Sequence, residues 1–481
     1  MAIQFFDNIF IPFLLISLLV YWLLNRNTKW QNLWIFFASL FFYGFDSIMA
    51  IFLLIGYIIF NYFTGLFIES RNNLNRKKQV LFFGIVINVL FLGLFKYFNF
   101  LSGLITTLLN ILGFHIDPIT LNLLVPIGIS FFTLQTIGYH FDIFNGKIKA
   151  IRNFLSFSIF ITFFPKVIAG PIERASNIIV QIEAKKSMKG EHFSSAIELL
   201  LIGFFKKIVI ADLIADLISS FYSNPGIFSA SNAIANVFLY SLNIYADFSG
   251  YSDIAKGVSR LFGIEITTNF KQPYLSTSPR EFWQGWHISF STWLRDYIYF
   301  PLGGSRKSKG RVYINLLIVM ILSGLWHGAG INFLIWGLLH GCYMILTRFS
   351  ANIFKERTKK MSRFCRITTK SFTWLVTFCL VSFAWIFFRA PSLDSAIIII
   401  SKIFDFKGYF QLAWLIEKYR FILLFTPSLV FTFDLAQKYT KKDEFLSNLP
   451  WFIRGIIYAA LFAGIMFFRN IFFVPFIYAG F

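Results

Sequence analysis

The stretch of sequence that decides the fold runs from Val312 to Thr347 and reads VYINLLIVMILSGLWHGAGINFLIWGLLHGCYMILT. Its 36 residues include no Asp, Glu, Lys or Arg, although His327 and His340 lie within it. A helix needs about 20 apolar residues to cross the hydrocarbon core of a membrane, so this stretch is long enough for two helices. Gly328-Ala329-Gly330 divides it into two apolar runs. The pattern predicts a helical hairpin with His327 near its turn.

Basic segments flank this hairpin, Arg306–Arg311 before it and Arg348–Lys370 after it. Because cytoplasmic loops carry an excess of Lys and Arg, we expect both segments in the cytoplasm. Each charge-free arm has about 16 residues and would span about 24 Å, which is less than the ~30 Å hydrocarbon core. The short arms place His327 at membrane depth.

The rest of the chain has the composition of a membrane protein. Of its 481 residues, 57% are hydrophobic and only 14% are charged, whereas soluble domains are about 25% charged. Further charge-free runs are Ile48–Ile68, Val80–Phe95, Leu121–Phe141, Phe228–Ala246 and Ser371–Phe388. We therefore predict an all-α, polytopic transmembrane helical bundle of about eleven spans, with additional re-entrant or interfacial helices, forming one domain over residues 1–481.

In one part of the chain, the number of apolar runs is inconsistent with every run crossing the membrane. Three apolar runs, Val80–Phe95, Tyr97–Phe114 and Leu121–Phe141, lie between the basic segments that end at Lys78 and begin at Lys147. If both basic segments are cytoplasmic, one of the three runs does not cross. The pattern leaves open which run that is.

The excess of 44 Lys and Arg over 23 Asp and Glu does not indicate nucleic-acid binding. The basic residues lie between apolar runs, as cytoplasmic loops require, and form no separate basic domain. No metal centre is predicted either, since no His-Glu-x-x-His or paired cysteine motif occurs.

Polar and charged residues become frequent between Asp247 and Arg311. Such groups are costly in lipid, so they must line a cavity, pair with one another or lie at the membrane surface. An amphipathic interfacial helix with a belt of Trp and Tyr is the alternative to a buried site. Periodicity alone does not separate the two.

Several motifs in this region occur in an order that resembles the membrane-bound O-acyltransferase family, most closely its alginate O-acetylation branch. They are Tyr245–Asp253 (YADFSGYSD), Asn269–Tyr274 (NFKQPY), Glu281–Ser289 (EFWQGWHIS), Thr292–Tyr297 (TWLRDY), Pro301–Gly304 (PLGG), Gly324–Ala329 (GLWHGA) and, upstream, Phe164–Ile172 (FPKVIAGPI). One departure is Gln284-Gly285, where relatives often carry basic residues.

The resemblance implies a helical fold around a funnel or tunnel, with a catalytic core at about residues 245–347. It implies transfer of a small acyl group, usually acetyl, from acetyl coenzyme A as a substrate, without a tightly bound cofactor. The acceptor is a polysaccharide outside the bacterial cytoplasmic membrane, often reached through an extracytoplasmic acetyltransferase partner. The family's essential histidine falls on His327 and its second histidine on His287. Teichoic-acid D-alanyl transfer is the closest alternative.

These two histidines suit acyl transfer from a thioester to a hydroxyl. With an unperturbed pKa near 6.5, a neutral imidazole can accept the hydroxyl proton. We assign His327 as general base and His287 to positioning the acceptor or carrying the proton onward. A transient acyl-imidazole on His327 remains an alternative. His340 is expected to pack within the helix interface.

Basic side chains at Arg280, Arg295 and Arg306–Arg311 are candidates for holding the phosphates of the donor at the cytoplasmic side, although positive-inside charge explains them equally well. Two other classes of function remain. A transporter of lipid-linked sugars would also place polar residues inside the membrane. A non-catalytic scaffold would need neither histidine.

Overall fold

The computed structural model describes residues 2–121, 123, 125–187, 190–359, 362–405, 412–469 and 476. The described residues form helices and no β-strand, as predicted. The α-helices, in chain order, are α1 Phe10–Leu23, α2 Thr28–Gly44, α3 Ile48–Ser70, α4 Leu74–Leu92, α5 Phe98–Ile111, α6 Ile129–Phe144, α7 Phe154–Thr162, α8 Phe164–Val167, α9 Ala175–Glu183, α10 Gly190–Phe205, α11 Asp212–Ser223, α12 Ala230–Leu261, α13 Pro279–Gly285, α14 Ile288–Leu294, α15 Lys309–His327, α16 Ile331–Lys359, α17 Arg363–Arg389, α18 Leu393–Ile403, α19 Leu412–Thr440 and α20 Trp451–Arg469.

Six of the described helical segments are long and apolar enough to cross a membrane. They are Ile48–Ser70, Leu74–Ile111, Lys309–His327, Arg363–Arg389, Phe421–Thr440 and Trp451–Arg469. The chain is therefore a multi-pass helical membrane protein. The predicted number of about eleven spans stays a prediction, and residues 360–361 of the basic segment Arg348–Lys370 lie outside the described residues.

The described residues of the three apolar runs between Lys78 and Lys147 form two continuous helical segments. A π-helical turn at Gly93–Tyr97 joins α4 to α5, so the first two runs belong to one continuous helix, Leu74–Ile111. The third run contributes α6; its residues 122 and 124 lie outside the described part of the chain. Two helical segments of the described residues thus lie between the two basic segments, of which Leu74–Ile111 is long and apolar enough to cross a membrane, and the number of crossings here stays a prediction.

The residues group into two compact units, Met1–Ala196 with Ile254–Thr267, and Ile197–Asp253 with Thr268–Phe481. The prediction of one domain over residues 1–481 stays a prediction.

In the first unit, the FPKVIAGPI motif contains Lys166, which is fully buried. Its ammonium group donates hydrogen bonds to Gln135 Oε1 at 2.6 Å and to the carbonyl oxygen of Phe160 at 2.5 Å. A buried lysine needs such acceptors, so this motif residue has a structural role.

The predicted hairpin lies in the second unit and is confirmed. Helix α15 ends at His327, Gly328-Ala329-Gly330 forms the turn, and α16 begins at Ile331. The arms are longer than the predicted 16 residues: α15 has 19 residues and α16 has 29, so the membrane depth predicted for His327 no longer follows from the length of the arms. The helices continue into the basic flanks, where charged residues such as Lys309 are good helix formers, and only the charge-free part was visible as an apolar run.

Glycines bring the backbones of α15 and α16 into direct contact. A Cβ atom on Gly324 would lie 2.1 Å from the carbonyl oxygen of Phe333. A Cβ atom on Gly337 would lie 2.3 Å from the carbonyl oxygen of Met320. No side chain larger than hydrogen is tolerated at such distances, and small residues are the usual means of close helix packing in membranes. The two arms are therefore held in one register.

The hairpin makes a prediction about topology. Cys365 is exposed in the first turn of α17, within the second basic segment, and Ser308 is exposed immediately before α15. We expect both positions to face the cytoplasm. A variant that keeps Cys365 and has Cys342→Ser and Cys379→Ser, and a second variant whose single cysteine is Ser308→Cys, should both resist an impermeant maleimide in intact cells.

Permeabilised cells provide the control, in which both single-cysteine variants should be labelled. Labelling of one position but not the other in intact cells would show that the two ends of the hairpin lie on different sides of the membrane.

Candidate active site

His287 lies in a tight turn between two short helices of the second unit. Helix α13 ends at Gly285 and α14 begins at Ile288. The backbone of His287 has φ 43° and ψ 54°, in the left-handed region that non-glycine residues rarely adopt. Its side chain is completely buried. Such conformations persist only where the surrounding structure holds them, and they are common at functional sites.

Asn269, in the NFKQPY motif, holds this turn. Its carbonyl oxygen accepts a hydrogen bond from the backbone N–H of Ile288 at 2.9 Å. Its side-chain Oδ1 accepts from the backbone N–H of Ser289 at 3.2 Å and from Ser289 Oγ at 2.7 Å. The same Oδ1 lies 3.4 Å from His287 Nδ1. One buried asparagine therefore sets both the backbone and the side chain of His287, a role that the motif did not reveal.

His327 is the last residue of α15, and 2% of its surface is exposed. Aromatic rings surround its imidazole. The ring centroids of Trp336 and Phe388 lie 5.1 Å and 5.2 Å from that of His327, at interplanar angles of 86° and 69°. These edge-to-face contacts hold the imidazole in an apolar environment at the hairpin turn.

The structure brings the two predicted site histidines to one pair of aromatic rings. Phe290 and Trp326 stack on each other with centroids 4.3 Å apart. The Phe290 ring lies 5.1 Å from the His287 ring and 5.6 Å from the His327 ring. Trp326 lies 6.0 Å and 4.8 Å from the same two rings. The two histidines, 40 positions apart in the sequence, therefore belong to a single site.

His340, on α16, packs beside this site as expected. Its Nδ1 accepts a hydrogen bond from the indole Nε1 of Trp283 at 3.2 Å. Its ring also contacts Trp336, with centroids 4.8 Å apart. Among the described residues, the polar atoms of this hairpin that are buried without a hydrogen-bond partner include Ser323 Oγ, Trp336 Nε1 and His340 Nε2. Unsatisfied buried polar atoms are rare in proteins and often mark functional sites.

The polar segment that begins at Asp247 forms internal ion pairs in its first part. Its first part continues α12, and its carboxylates pair with buried lysines of a π-helical segment, Lys206–Ala211. Lys207 Nζ lies 2.8 Å from Asp247 Oδ1, and Lys206 Nζ lies 2.7 Å from Asp253 Oδ2. The YADFSGYSD motif thus contributes two carboxylates to internal ion pairs. Such pairing is one of the ways in which a protein can keep charged residues out of contact with lipid.

The Gln284-Gly285 departure has a structural explanation at its second residue. The backbone of Lys271 donates to the carbonyl oxygen of Gly285 at 2.9 Å. A Cβ atom on Gly285 would lie 2.4 Å from the carbonyl oxygen of Lys271. Glycine therefore permits the loop that carries Asn269 to pack on α13. Gln284 is exposed.

The predicted donor-binding residues are not part of the histidine site. Arg280 is exposed, and exposed Arg295 pairs with its neighbour Asp296, with Nε 2.8 Å from Oδ1. The basic segment before α15 borders a cavity of about 570 Å³ that is lined by Pro301, Leu302, Gly303, Lys307, Ser308 and Arg311. Two cationic side chains and a helix N-terminus therefore meet at this cavity.

Among the described residues, no group of three His, Cys, Asp or Glu side chains forms a potential metal site.

These features define a class of protein: a multi-pass helical membrane protein with two histidines in one buried aromatic site. A family model described as the membrane-bound O-acyltransferase family matches residues 147–388. Similar proteins include the peptidoglycan O-acetyltransferase of Helicobacter pylori, 36% identical over 425 residues, covering 82% of this chain and 78% of the relative. A probable alginate O-acetylase of Pseudomonas aeruginosa is 36% identical over 418 residues, covering 85% and 76%.

The teichoic acid D-alanyltransferase of Bacillus subtilis is a more distant match, 30% identical over 252 residues, covering 50% of this chain and 62% of the relative. The chain belongs to the membrane-bound O-acyltransferase family. It is an acyltransferase, as the motifs predicted. The roles of His287 and His327 stay predictions.

Substitution of Gly285 tests the packing that supports the turn at His287. Gly285→Ala should destabilise the protein by about 1–3 kcal/mol, because the added methyl group must displace the Lys271 backbone. Gly310→Ala is the matched control, since a Cβ atom there meets nothing within 4 Å. Thermal melting in detergent measures both. Equal melting temperatures for the two variants would contradict the close packing described for Gly285.

Proposed function

We propose that this protein transfers acetyl groups from a cytoplasmic thioester, acetyl coenzyme A, across the bacterial cytoplasmic membrane toward hydroxyl groups of an exported polysaccharide. An extracytoplasmic acetyltransferase partner completes the transfer. The observation that carries this proposal is the pair of buried histidines at one aromatic site. The similarity to two O-acetylating proteins over more than four-fifths of the chain supports acetyl as the group transferred.

In this proposal His327 is the general base. It removes the proton of the incoming hydroxyl as the oxygen attacks the thioester carbonyl. Its position at the end of α15, against rigid aromatic rings, supports this role, because a base must be held within hydrogen-bond reach of the proton it removes. The surrounding apolar rings also keep bulk water from competing with the acceptor hydroxyl.

His287 positions the acceptor or carries the proton onward. Its strained backbone and its contact with Asn269 Oδ1 support a fixed orientation of the imidazole. When Nδ1 of His287 donates to Asn269 Oδ1, Nε2 remains able to accept a hydrogen bond from a hydroxyl. A fixed acceptor of this kind orients a substrate without taking part in bond formation.

Teichoic-acid D-alanyl transfer is the second candidate, supported by the relative from Bacillus subtilis. That similarity covers half of this chain, whereas the acetylating relatives cover more than four-fifths of it. Acetyl transfer is therefore preferred. The donor for the second candidate would be a D-alanyl carrier protein instead of a small thioester.

The proposal ranks the two histidines. His327→Ala should lower the acyl-transfer rate by roughly 10²–10⁴-fold, because a positioned general base contributes about that factor. His287→Ala should retain a larger measurable rate, since neighbouring groups can partly replace a positioning residue. Initial rates of acetyl transfer in membranes, normalised to the amount of folded protein, provide the comparison. Full activity of folded His327→Ala would exclude the proposed base, and an inactive His287→Ala beside an active His327→Ala would reverse the roles.

The donor site leads to a separate expectation. Purified protein with radiolabelled acetyl coenzyme A and its partner should yield labelled acceptor. The double variant Lys307→Gln/Arg311→Gln should require more acetyl coenzyme A for half-maximal rate, because two cations that border the cavity are lost. The maximal rate should stay near that of the wild type. The control is Arg363→Gln, an exposed cation at the start of α17 that lies outside the residues that line this cavity.

Labelling of the acceptor from a D-alanyl carrier protein, with none from acetyl coenzyme A, would assign the protein to the D-alanyl reaction. An unchanged KM in the double variant would remove the cavity as the phosphate-binding site.

A further inference from the structure

The indole N–H of Trp336 differs from those of two neighbouring tryptophans, Trp283 and Trp385. Trp336 is completely buried on α16, and its Nε1 has no hydrogen-bond partner among the described residues. The neighbouring indoles of Trp283 and Trp385 do have partners, His340 Nδ1 at 3.2 Å and the hydroxyl of Tyr274 at 3.0 Å. Burying a donor without a partner costs free energy, so buried indoles usually donate. The unpaired donor of Trp336 therefore calls for an explanation.

Trp336 lies directly against the proposed base. The centroids of its ring and of the His327 ring are 5.1 Å apart, and the two planes are nearly perpendicular, at 86°. The arrangement depends on α15 and α16, whose backbones touch at Gly337, the residue after Trp336. The ring of Trp336 is therefore one of the groups that border a substrate held at His327.

The indole is also held rigidly in place. Trp385 stacks on it with centroids 5.7 Å apart and an interplanar angle of 26°. The rings of His340, Phe388 and Trp283 contact it at 4.8 Å, 5.4 Å and 5.8 Å. Packing on this many sides leaves the ring no room to rotate toward another acceptor. Its N–H is thus fixed before any substrate binds.

We propose that Trp336 is a catalytic residue whose indole N–H donates a hydrogen bond to the carbonyl oxygen of the acyl thioester and stabilises the oxyanion that forms there. This inference rests on the proposed function, in which His327 is the base. Three observations carry it: the unpaired N–H, its complete burial and its contact with His327. An indole N–H is a donor only, so it cannot take up the proton that His327 removes.

The step balances in atoms and charge. The acceptor oxygen forms a bond to the carbonyl carbon, and its proton moves to the imidazole of His327. The carbonyl π electrons move to oxygen, which becomes the oxyanion that accepts the hydrogen bond from Trp336 Nε1. When the carbonyl reforms, the carbon–sulfur bond breaks, and the thiolate takes the proton from the imidazolium. The products are the ester and the free thiol.

The expected effect follows from this role. A fixed donor in an apolar site stabilises charge that develops in the transition state and needs no reorganisation when the charge appears. Loss of one such donor typically lowers kcat about 10²–10³-fold. The donor contacts the ground-state carbonyl more weakly than the oxyanion, so KM for the thioester should change little.

The experiment removes the N–H and keeps the shape of the ring. Benzothienylalanine, in which sulfur replaces the indole N–H, is incorporated at position 336, and Trp336→Phe provides a second variant. The same replacement at Trp374 is the matched control. The indole of Trp374 donates at 2.7 Å to the backbone carbonyl of Tyr274. Its ring packs on Phe378 and Phe431 and not on either histidine among the described residues. Initial rates over a range of thioester concentrations give kcat and KM, and thermal melting in detergent verifies folding.

We expect kcat to fall about 10²–10³-fold for both variants at position 336, with KM little changed, and the Trp374 control to keep wild-type kcat. Wild-type kcat for the variant with benzothienylalanine at position 336 would overturn the inference. This holds even if Trp336→Phe is impaired, because loss of activity in that variant alone would show that the ring has a packing role. The series uses the thioester that the wild type accepts. Failure of the wild type to use acetyl coenzyme A contradicts the proposed donor, whereas equal kcat of wild type and isostere contradicts the role of Trp336.

Discussion

Close backbone contact between α15 and α16 is the constraint on which the candidate active site depends. In lipid, helices gain little from burying apolar side chains, so they associate through close van der Waals packing. Gly324 and Gly337 provide that packing, because each faces a backbone carbonyl of the other helix at a distance that excludes a methyl group. This contact fixes His327 at the end of one helix relative to Trp336 on the other.

Aromatic rings form most of the surroundings of the two histidines. Phe290 and Trp326 contact both imidazoles, and Trp336 and Phe388 contact that of His327. Rings of this size have few rotamers and exclude water, so they position an imidazole without adding a competing charge. Exclusion of water suits an acyltransferase, because water competes with the acceptor hydroxyl.

Two lysines of the second unit, Lys206 and Lys207, form internal ion pairs. Lys207 lies 2.8 Å from both Asp212 and Asp247, and Lys206 lies 2.7 Å from Asp253. Breaking a buried pair costs about 3–5 kcal/mol, because the remaining charge loses its partner in a medium of low dielectric constant. The motif that contains Asp247 and Asp253 therefore belongs to the framework that supports the site, and not to the reacting groups.

The all-helical membrane fold, the hairpin and the two candidate histidines were all predictable from the sequence, because absence of charge, a glycine break and an ordered series of motifs are local properties of the chain. Helix ends were less predictable: α15 and α16 continue into their basic flanks, where hydropathy no longer marks the helix. The motifs also named Asn269, Asp247 and Gly285 without indicating their roles. Those roles depend on distances between different segments: the support of His287 by Asn269, the ion pair of Asp247, and the close approach of Gly285 to Lys271. The burial of the Trp336 indole beside His327 depends on such distances as well. Only the packing of helix backbones against one another sets such distances, and no pattern along a single chain records them.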